Sequence, residues 1–268
     1  MKENPIGVFD SGIGGLTVLK EIVRALPGED TVYLGDTARV PYGTKSRETV
    51  ARYATEDAGF LRGHNVKIVV AACNTASAFG VDELRKNLSV PVTGVITPGA
   101  EAAAAVTKSG KVGVIGTEGT IRSKAYSKAL KAIDAGIQVF EAACPLFVPL
   151  VEEGLLDDPI TDLAVSRYLG GLKAEGVDTL VLGCTHYPLL KGAIKKFMGP
   201  STALIDSAEA TASEVLRILS EKDLCRKDSQ NPSHKFFVTD SPERFAQVGR
   251  AFFGDRLDSP ETVRLGCA

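Results

Sequence analysis

The chain has 268 residues, of which 44% are hydrophobic, 24% are charged and 6% are aromatic, with no tryptophan. This length allows one large domain or two of ordinary size, with enough apolar residues for a real core. The formal net charge of −2 and the few aromatic side chains exclude the basic or base-stacking surface of a nucleic-acid-binding protein, and no basic patch for a membrane surface is present. The first residues lack the apolar segment of a signal peptide, and no apolar run approaches the ~20 residues of a membrane span, so we expect a cytoplasmic protein.

Strand-like and helix-like segments alternate along the whole chain. Apolar runs predict strands over residues 6–10, 31–35, 66–71, 90–96, 112–115, 137–141, 179–182, 203–205 and 236–239. Helical spacing predicts helices over 14–26, 46–64, from about 75, and over 98–108, 121–135, 160–175, 188–197, 209–222 and 241–253. Apolar strands between amphipathic helices indicate an α/β fold, in which mainly parallel sheets are covered by helices on both faces.

The two halves of this pattern resemble each other. Residues 7–11 match residues 113–117 at an offset of 106, the segments around cysteines 73 and 184 match at 111, and residues 95–98 resemble 204–207 at 109. These matches predict two similar, pseudo-symmetric, doubly wound domains with the ligand at their interface. We assign 1–97 with 208–268 to a discontinuous first domain and 98–207 to the second. The polar segment 223–235 is predicted to be an exposed linker, and hinges are expected near 97–98 and 206–207.

Five cysteines are scattered at positions 73, 144, 184, 225 and 267. An odd number at wide spacing in a cytoplasmic chain argues against a disulfide framework. The lack of CxxC or HxxxH spacing, with only three histidines, argues against a structural zinc site. Free cysteines are often buried and inert, and we expect Cys144, Cys225 and Cys267 to be either of that kind or exposed in loops.

A glycine-rich turn at residues 10–15 (DSGIGG) follows the first predicted strand and opens a helix. Glycines let the backbone approach a ligand closely, and the free N–H groups of a helix start favour an anion such as carboxylate or phosphate. A nucleotide site is an alternative, although the pattern is neither GxGxxG nor a P-loop. A plain strand–helix connection in which Ser11 caps the helix is equally compatible with the turn.

Cys73 and Cys184 each follow an apolar run at the predicted carboxyl end of a strand, where open α/β sheets bind ligands. Polar residues come after both cysteines: Asn74, Thr75, Thr185 and His186. A helix start at these positions can stabilise a thiolate through its backbone amides. Two thiols in equivalent settings therefore suggest one acid and one base that face each other across one substrate.

Other polar residues are expected at the same edge. His186 comes two residues after the second of these cysteines and suits proton exchange, although a lone histidine is often structural. Asp10 ends a strand of the sheet that holds the first cysteine, and it can orient or deprotonate that thiol, bind an ammonium group or cap a helix. Tyr42, after the second strand, can cover the site. Spacing alone does not select Glu152.

Four segments together resemble the glutamate racemases, of the cofactor-independent aspartate/glutamate racemase family. They are residues 9–16 (FDSGIGGL), 36–43 (DTARVPYG), 72–76 (ACNTA) and 182–190 (LGCTHYPLL), in the family's order. The similarity covers nearly the whole chain, apart from the tail after Phe253. It implies two domains with the active site between them, and no pyridoxal phosphate, other cofactor, metal or nucleotide. It also implies interconversion of L- and D-glutamate, which supplies D-glutamate for bacterial peptidoglycan, cell-wall biogenesis and cell shape.

The resemblance also implies a role for individual residues. Cys73 and Cys184 are the implied acid/base groups, assisted by Asp10, His186 and Glu152. Substrate contacts are implied for Asp10, Ser11, Pro41, Tyr42, Gly43, Asn74, Thr75, Thr185 and His186. Glutamate is the implied partner, with no nucleic acid or membrane, and because dimers are common in the family, a homodimer is compatible with the resemblance.

Two thiols on opposite faces of Cα allow inversion, since one removes the α-proton while the other delivers a proton, in a dry cleft with preorganised donors. By resemblance, Cys73 takes the proton from D-glutamate. Three alternatives stay open. The first is a racemase for aspartate or another amino acid, because a pocket distinguishes one methylene by only ~1–3 kcal/mol. The others are a nucleotide- or phosphate-binding protein with structural cysteines, and a thiol hydrolase with a Cys–His pair and one essential cysteine.

Overall fold

Strands and helices alternate through the residues that the computed structural model describes, which are 1–226, 231–254 and 257–266. Cys267 lies outside them. The strands are β1 (Ile6–Asp10), β2 (Thr31–Gly35), β3 (Ile68–Ala71), β4 (Val92–Gly94), β5 (Lys111–Gly116), β6 (Gln138–Ala143), β7 (Thr179–Gly183), β8 (Ala203–Asp206), β9 (His234–Val238) and β10 (Glu261–Thr262). The helices are α1 (Leu16–Ala25), α2 (Arg47–Gly63), α3 (Asn74–Asn87), α4 (Ile96–Val106), α5 (Glu118–Ser123), α6 (Ala125–Ile133), α7 (Phe147–Glu152), α8 (Pro159–Ala174), α9 (Lys191–Met198), α10 (Ser207–Glu221) and α11 (Pro242–Phe253).

The strands form two parallel sheets with the same internal order. The first sheet has the order β10-β9-β2-β1-β3-β4 and the second the order β6-β5-β7-β8. The run β2-β1-β3-β4 thus corresponds strand for strand to β6-β5-β7-β8, and the predicted fold class of two parallel-sheet α/β domains is confirmed. The central strands β1 and β7 are buried along their whole length, as parallel strands covered on both faces must be.

The chain around residue 96 differs from the prediction. The strand predicted over 90–96 is limited to β4, and α4 begins at Ile96 rather than at Pro98. Proline is tolerated in the first turn of a helix because the N–H that it lacks would have no intrahelical acceptor there. One expected hinge, 97–98, therefore lies within a helical turn. The other, 206–207, lies where the Asp206 side chain caps the start of α10.

Two predicted helices were wrong in detail, and one helix was not predicted. The helix predicted over 121–135 is interrupted at Lys124, whose φ of 56° is left-handed, so that α5 and α6 are separate. The helix predicted over 188–197 begins as a 3-10 turn, Tyr187–Leu190, before α9. The short helix α7 was missed, because six residues that include Pro149 show too little periodicity to be recognised.

The start of the polar segment 223–235 is anchored rather than exposed. Leu224 is buried, and its carbonyl accepts a hydrogen bond of 2.9 Å from Lys67 Nζ. Lys67 is itself buried and forms an ion pair with Glu29. A buried ammonium group needs such acceptors, so the prediction of an exposed linker was wrong at Leu224. Residues 227–230 lie outside the described part.

Two other expectations concern cysteines and membranes. Cys144 is buried and Cys225 is half-buried, and both are free thiols. Within the described ranges, no helix has the length and apolar character needed to cross a bilayer.

Between the sheets, α1 packs against α10, which in turn packs against α4. The carboxyl ends of both sheets are thereby held facing a shared cleft.

Candidate active site

A cavity of about 430 Å³ lies between the carboxyl ends of the two sheets. Nearly all residues predicted for the site line it: Ser11, Pro41, Tyr42, Gly43, Cys73, Asn74, Thr75, Glu152, Cys184, Thr185 and His186. Asp10 is the exception, because it is fully buried behind this lining at the end of β1.

The two cysteines occupy equivalent positions in the two sheets. Phe9 pairs with Ala71 between β1 and β3, and Ile115 pairs with Leu182 between β5 and β7. Phe9 and Ile115 are separated by 106 residues and Ala71 and Leu182 by 111, which are offsets of the sequence repeat. Cys73 comes two residues after Ala71, and Cys184 comes two residues after Leu182. The equivalence predicted from sequence therefore holds in three dimensions.

Cys73 occupies the N-cap position of α3, where its sulfur accepts a hydrogen bond of 3.5 Å from the Ala76 amide. The residue is only 6% exposed. Burial raises the pKa of the Cys73 thiol to about 12, and the nearby Asp10 carboxylate adds to this rise. Hydrogen bonds from Ser11 and the Ala76 amide act in the opposite direction but are weaker. At neutral pH Cys73 is therefore a thiol, the form that can deliver a proton.

Cys184 begins a chain of polar contacts. Its sulfur lies 4.0 Å from His186 Nδ1, and His186 Nε2 lies 3.2 Å from Glu152 Oε1. Burial alone would lower the pKa of His186, but the hydrogen bonds to Cys184 and Glu152 outweigh it and raise this pKa to about 10. The contact with His186 also lowers the pKa of Glu152. The imidazole is therefore charged at neutral pH, and its Nδ1–H can donate to the sulfur of Cys184.

Asp10 is a buried acidic group whose charge acts on Cys73. Its Oδ2 accepts a hydrogen bond of 2.9 Å from the Gly12 amide, while its Oδ1 has no hydrogen-bond partner among the described residues. Burial raises the pKa of Asp10, although the charge of His186 and nearby backbone amides oppose the rise. A buried carboxyl with a raised pKa and a free oxygen is suited to proton transfer.

The glycine-rich turn allows the two sheets to approach each other. A Cβ atom at Gly14 would lie 2.2 Å from Thr185 Oγ1 and 2.4 Å from His186 Nδ1. The Thr17 hydroxyl contacts the carbonyl oxygens of Gly14 (2.9 Å) and Thr185 (3.2 Å). The turn after β7 thus occupies the space that a side chain at position 14 would need. Close packing therefore explains why this residue is a glycine.

Residues after Cys73 are fixed by contacts to the second sheet's helices. Asn74 Oδ1 accepts a hydrogen bond of 2.7 Å from the Tyr126 hydroxyl, and Asn74 Nδ2 has no partner among the described residues. The Thr75 hydroxyl lies 2.9 Å from that of Thr117 and 3.2 Å from that of Thr120. Tyr42, in contrast, directs its hydroxyl away from the cavity, to buried carboxyl groups.

Comparison with known proteins places these features in a family. The chain matches the model of the Asp/Glu/hydantoin racemases over residues 6–215. It is 58% identical, over 97% of its length and 96% of the relative's, to a glutamate racemase of Geobacter metallireducens. The chain belongs to the Asp/Glu/hydantoin racemase family. The family predicted from the sequence segments is confirmed, and with it the prediction of a racemase enzyme.

Solved racemase structures share the whole architecture. A glutamate racemase isoform of Bacillus anthracis is 46% identical, with a TM-score of 0.95 over 99% of each chain. A glutamate racemase of Francisella tularensis, solved in complex with D-glutamate, is 39% identical, with a TM-score of 0.93 over 99% of each chain.

The cavity lining also includes polar residues that were not predicted for the site: Thr37, Thr117, Ser241 and Arg244. Thr117 follows β5 where the repeat places the counterpart of Ser11, so the offset of 106 could have identified it. Arg244, in α11, has no motif around it. Its Nη2 lies 3.3 Å from Glu152 Oε2, and it is the only lysine or arginine among the described lining residues.

The donor set does not suit a metal ion. Within the residues described, no group of three or more His, Cys, Asp or Glu side chains has an arrangement that could hold one. The arrangement offers one neutral thiol, Cys73, near a buried carboxyl, and a second cysteine, Cys184, beside a charged imidazole, at equivalent ends of two sheets.

Proposed function

We propose that this racemase interconverts L- and D-glutamate, with Cys73 and Cys184 as the two acid/base groups and no cofactor. The observation that carries the proposal is that both thiols line one cavity from equivalent strand ends of two sheets with the same order. A proton donor and a proton acceptor on opposite faces of Cα can invert it without turning the substrate over. The Geobacter relative's name and the D-glutamate in the Francisella structure support the choice of amino acid.

The lining offers partners for the charged groups of glutamate. The free amide donor of Asn74 and the hydroxyls of Ser11 and Thr185 can hold a carboxylate without adding a mobile charge. Arg244 supplies one positive charge to the wall for a substrate that carries two carboxylates. Residues 41–43 form another part of the lining, and backbone amides at the start of α3 add fixed donors.

Proton transfer in the L-to-D direction begins at Cys184. Cys184 acts as a thiolate beside the charged imidazole of His186, and Glu152 stabilises that charge. The thiolate removes the α-proton of L-glutamate, and the Cys73 thiol delivers its proton to the opposite face, which leaves Cys73 as thiolate and Cys184 as thiol. The raised pKa of Cys73 keeps that proton available.

The reverse direction starts from the Cys73 thiolate, and Asp10 is the group that can accept the Cys73 proton. Because the α-proton of an amino acid is very weakly acidic, the developing carbanion needs preorganised donors in a site from which water is excluded. The narrow cleft between the sheets provides such a site once a substrate fills it.

We also propose a biological role and a domain division for this chain. D-glutamate formed in the cytoplasm would supply peptidoglycan synthesis, and thereby cell-wall biogenesis and cell shape. We propose the domain division as 1–97 with 208–268 and 98–207, which β9 and β10 support because they pair within the first sheet. A homodimer stays a prediction.

The first experiment is circular dichroism of D-glutamate incubated with purified protein and no added cofactor. We expect the optical signal to decay to zero as the racemic mixture forms, and aspartate tested in parallel to react much more slowly. Decay with aspartate alone would replace the proposed substrate. Thermal stabilisation by ATP without stabilisation by glutamate would favour the nucleotide alternative.

The second experiment tests the two thiols. Cys73→Ala and Cys184→Ala should each lower kcat by at least about 100-fold, the range of a lost general acid or base. In heavy water, the substrate of the wild-type protein should acquire deuterium at Cα. Normal racemisation by either variant, or inversion without exchange, would contradict the two-thiol mechanism, and a covalent acyl-enzyme would indicate the thiol hydrolase.

A further inference from the structure

Beneath the loop 41–43 lies a cluster of acidic side chains around one arginine, which the proposed proton transfers do not use. Asp36 and Asp57 are completely buried. Arg39 Nε lies 2.5 Å from Asp36 Oδ2, and Arg39 Nη2 lies 3.0 Å from Asp57 Oδ1. Arg39 Nη1 also contacts Glu56. Three carboxyl groups share one guanidinium, and unpaired buried charge is costly.

The Tyr42 hydroxyl connects the two buried carboxyl groups. It hydrogen bonds to Asp36 Oδ2 and lies 2.9 Å from Asp57 Oδ2. Asp36 is surrounded by donors, because Arg39 Nε reaches its Oδ2 and the Thr239 hydroxyl donates to its Oδ1 at 2.9 Å. A hydroxyl has only one proton to donate. If Tyr42 donates it to Asp36, the short contact to Asp57 needs a proton from Asp57.

We propose that Asp57 is protonated at neutral pH and donates to the Tyr42 hydroxyl, which donates to Asp36, so that Asp57 is a positioning residue for the loop that lines the site. Burial raises the pKa of Asp57 well above its usual range, and the Asp36 charge adds to the rise, while Arg39 opposes it. The Tyr53 ring covers the cluster, 5.4 Å from the Tyr42 ring and 4.1 Å from the Arg39 guanidinium carbon.

The loop is held from two sides. Tyr42 fixes it to the cluster, and at Gly43 a Cβ atom would lie 2.6 Å from Thr117 Cβ of the second sheet's edge. Without the hydrogen bonds of Tyr42, the loop would be held only by the packing of Gly43 on Thr117, and this part of the cavity wall could shift. This effect on the substrate rests on the proposed function, whereas the protonation of Asp57 does not.

Asp57→Asn is the decisive variant, because an asparagine amide can donate to Tyr42 and its oxygen can accept from Arg39, as a protonated carboxyl does. A carboxyl with a raised native pKa contributes stability that is complete below its unfolded-state pKa of about 3.9 and is lost as pH rises. Between about pH 5 and pH 8, we expect the unfolding equilibrium constant of the wild type to rise relative to Asp57→Asn by up to about tenfold per pH unit. Urea unfolding of the full chain measures this ratio.

Asp36→Asn is the matched control, because it places amide donors against Arg39 and Tyr42, which are already donors. We expect Asp36→Asn to be destabilised, and to gain less on the wild type than Asp57→Asn does as pH rises, because burial still raises the pKa of Asp57 when the Asp36 charge is gone. An unfolding ratio of wild type to Asp57→Asn that does not change with pH, or a larger pH-dependent gain in Asp36→Asn than in Asp57→Asn, would overturn the proposed protonation.

Kinetics test the positioning role. Asp57→Leu removes the hydrogen bonds and should raise the KM for glutamate by about tenfold, the equivalent of one lost hydrogen bond, whereas Asp57→Asn should stay within about twofold of the wild type. Equal increases in both variants would overturn the positioning role. A wild type that does not racemise glutamate would disprove the proposed function, while the unfolding ratio would still decide the protonation of Asp57.

Discussion

At the scale of single residues, the two equivalent cysteines have different neighbours. Cys73 lies near the buried Asp10, and burial with this charge raises its pKa to about 12. Cys184 lies beside His186, whose charge Glu152 stabilises. The repeated architecture thus supplies two cysteines in equivalent positions, while their different neighbours give them different electrostatic surroundings.

Glu152→Gln should lower the pKa of His186 from about 10, because it removes the negative charge next to Nε2 and keeps the side-chain shape. His186 has a raised native pKa, so its stability contribution is complete below about pH 6.5 and is lost as pH rises toward the native pKa. The variant should weaken this pH dependence and lower kcat by about tenfold or more. Nuclear magnetic resonance titration can follow the three histidines, and an unchanged His186 would contradict the assignment.

Gly14→Ala should push Thr185 and His186 out of place, because its Cβ would lie within 2.4 Å of both side chains. We expect a loss of about 1–3 kcal/mol in the free energy of unfolding, typical of overpacking, and a lower kcat/KM. Gly63→Ala is the control, since its Cβ meets nothing within 4 Å in α2. That variant should be neutral or stabilising by up to about 1 kcal/mol. Similar losses in both would refute the packing account.

At the scale of elements, two helices from distant parts of the chain complete the His186 side of the cavity. α7 carries Glu152 and α11 carries Arg244, and the two side chains form an ion pair of 3.3 Å. The Arg244 side chain is 54% exposed, so its charge should matter more for substrate than for stability.

Arg244→Ala should raise the KM for glutamate severalfold with a smaller effect on kcat, because a positive charge near the anionic substrate is lost. The free energy of unfolding should change by less than about 1 kcal/mol, as for other exposed ion pairs. Arg250→Ala, at an exposed position of the same helix, is the matched control. Steady-state kinetics at low and high salt measure the effect, and an unchanged KM would exclude this role.

At the scale of the whole molecule, hydrogen bonds across the cleft set the geometry of the site. Tyr126 reaches across to Asn74, and Thr17 reaches across to the Thr185 carbonyl. Each of these bonds holds a residue next to one of the two cysteines. The hydrogen bonds that join the two sides of the cleft therefore also hold residues beside the cysteines in place.

Tyr126→Phe should leave the buried Asn74 oxygen without its donor and cost about 1–3 kcal/mol in the free energy of unfolding. Asn74 could then rotate, so the KM should rise more than kcat falls. Tyr168→Phe is the control, since the hydroxyl of Tyr168 makes no hydrogen bond with the described residues and its ring packs on Phe147. Urea unfolding and racemisation rates measure both variants, and equal behaviour would count against the cross-cleft role.

Much of the fold was predictable because the strands are continuous apolar runs. β1 and β2 have the predicted bounds, and the repeat indicated two similar domains with parallel sheets. The break at Lys124 and the helix α7 were not predictable, because a single left-handed residue and a six-residue helix leave too little periodicity.

Residues at strand ends could be recognised from the sequence, because an apolar run and the polar residues that follow it are neighbours in the chain. Together with the family resemblance, these features identified both thiols and 11 of the 21 residues that line the cavity. The contacts among groups that are distant in the chain came from the tertiary structure. Glu152 meets His186, Arg244 meets Glu152, and Asp57 meets Tyr42 across separations that no local pattern encodes. Hydrogen bonding and burial act over a few ångströms in space, so the charge states of this site depend on packing that only the folded chain establishes.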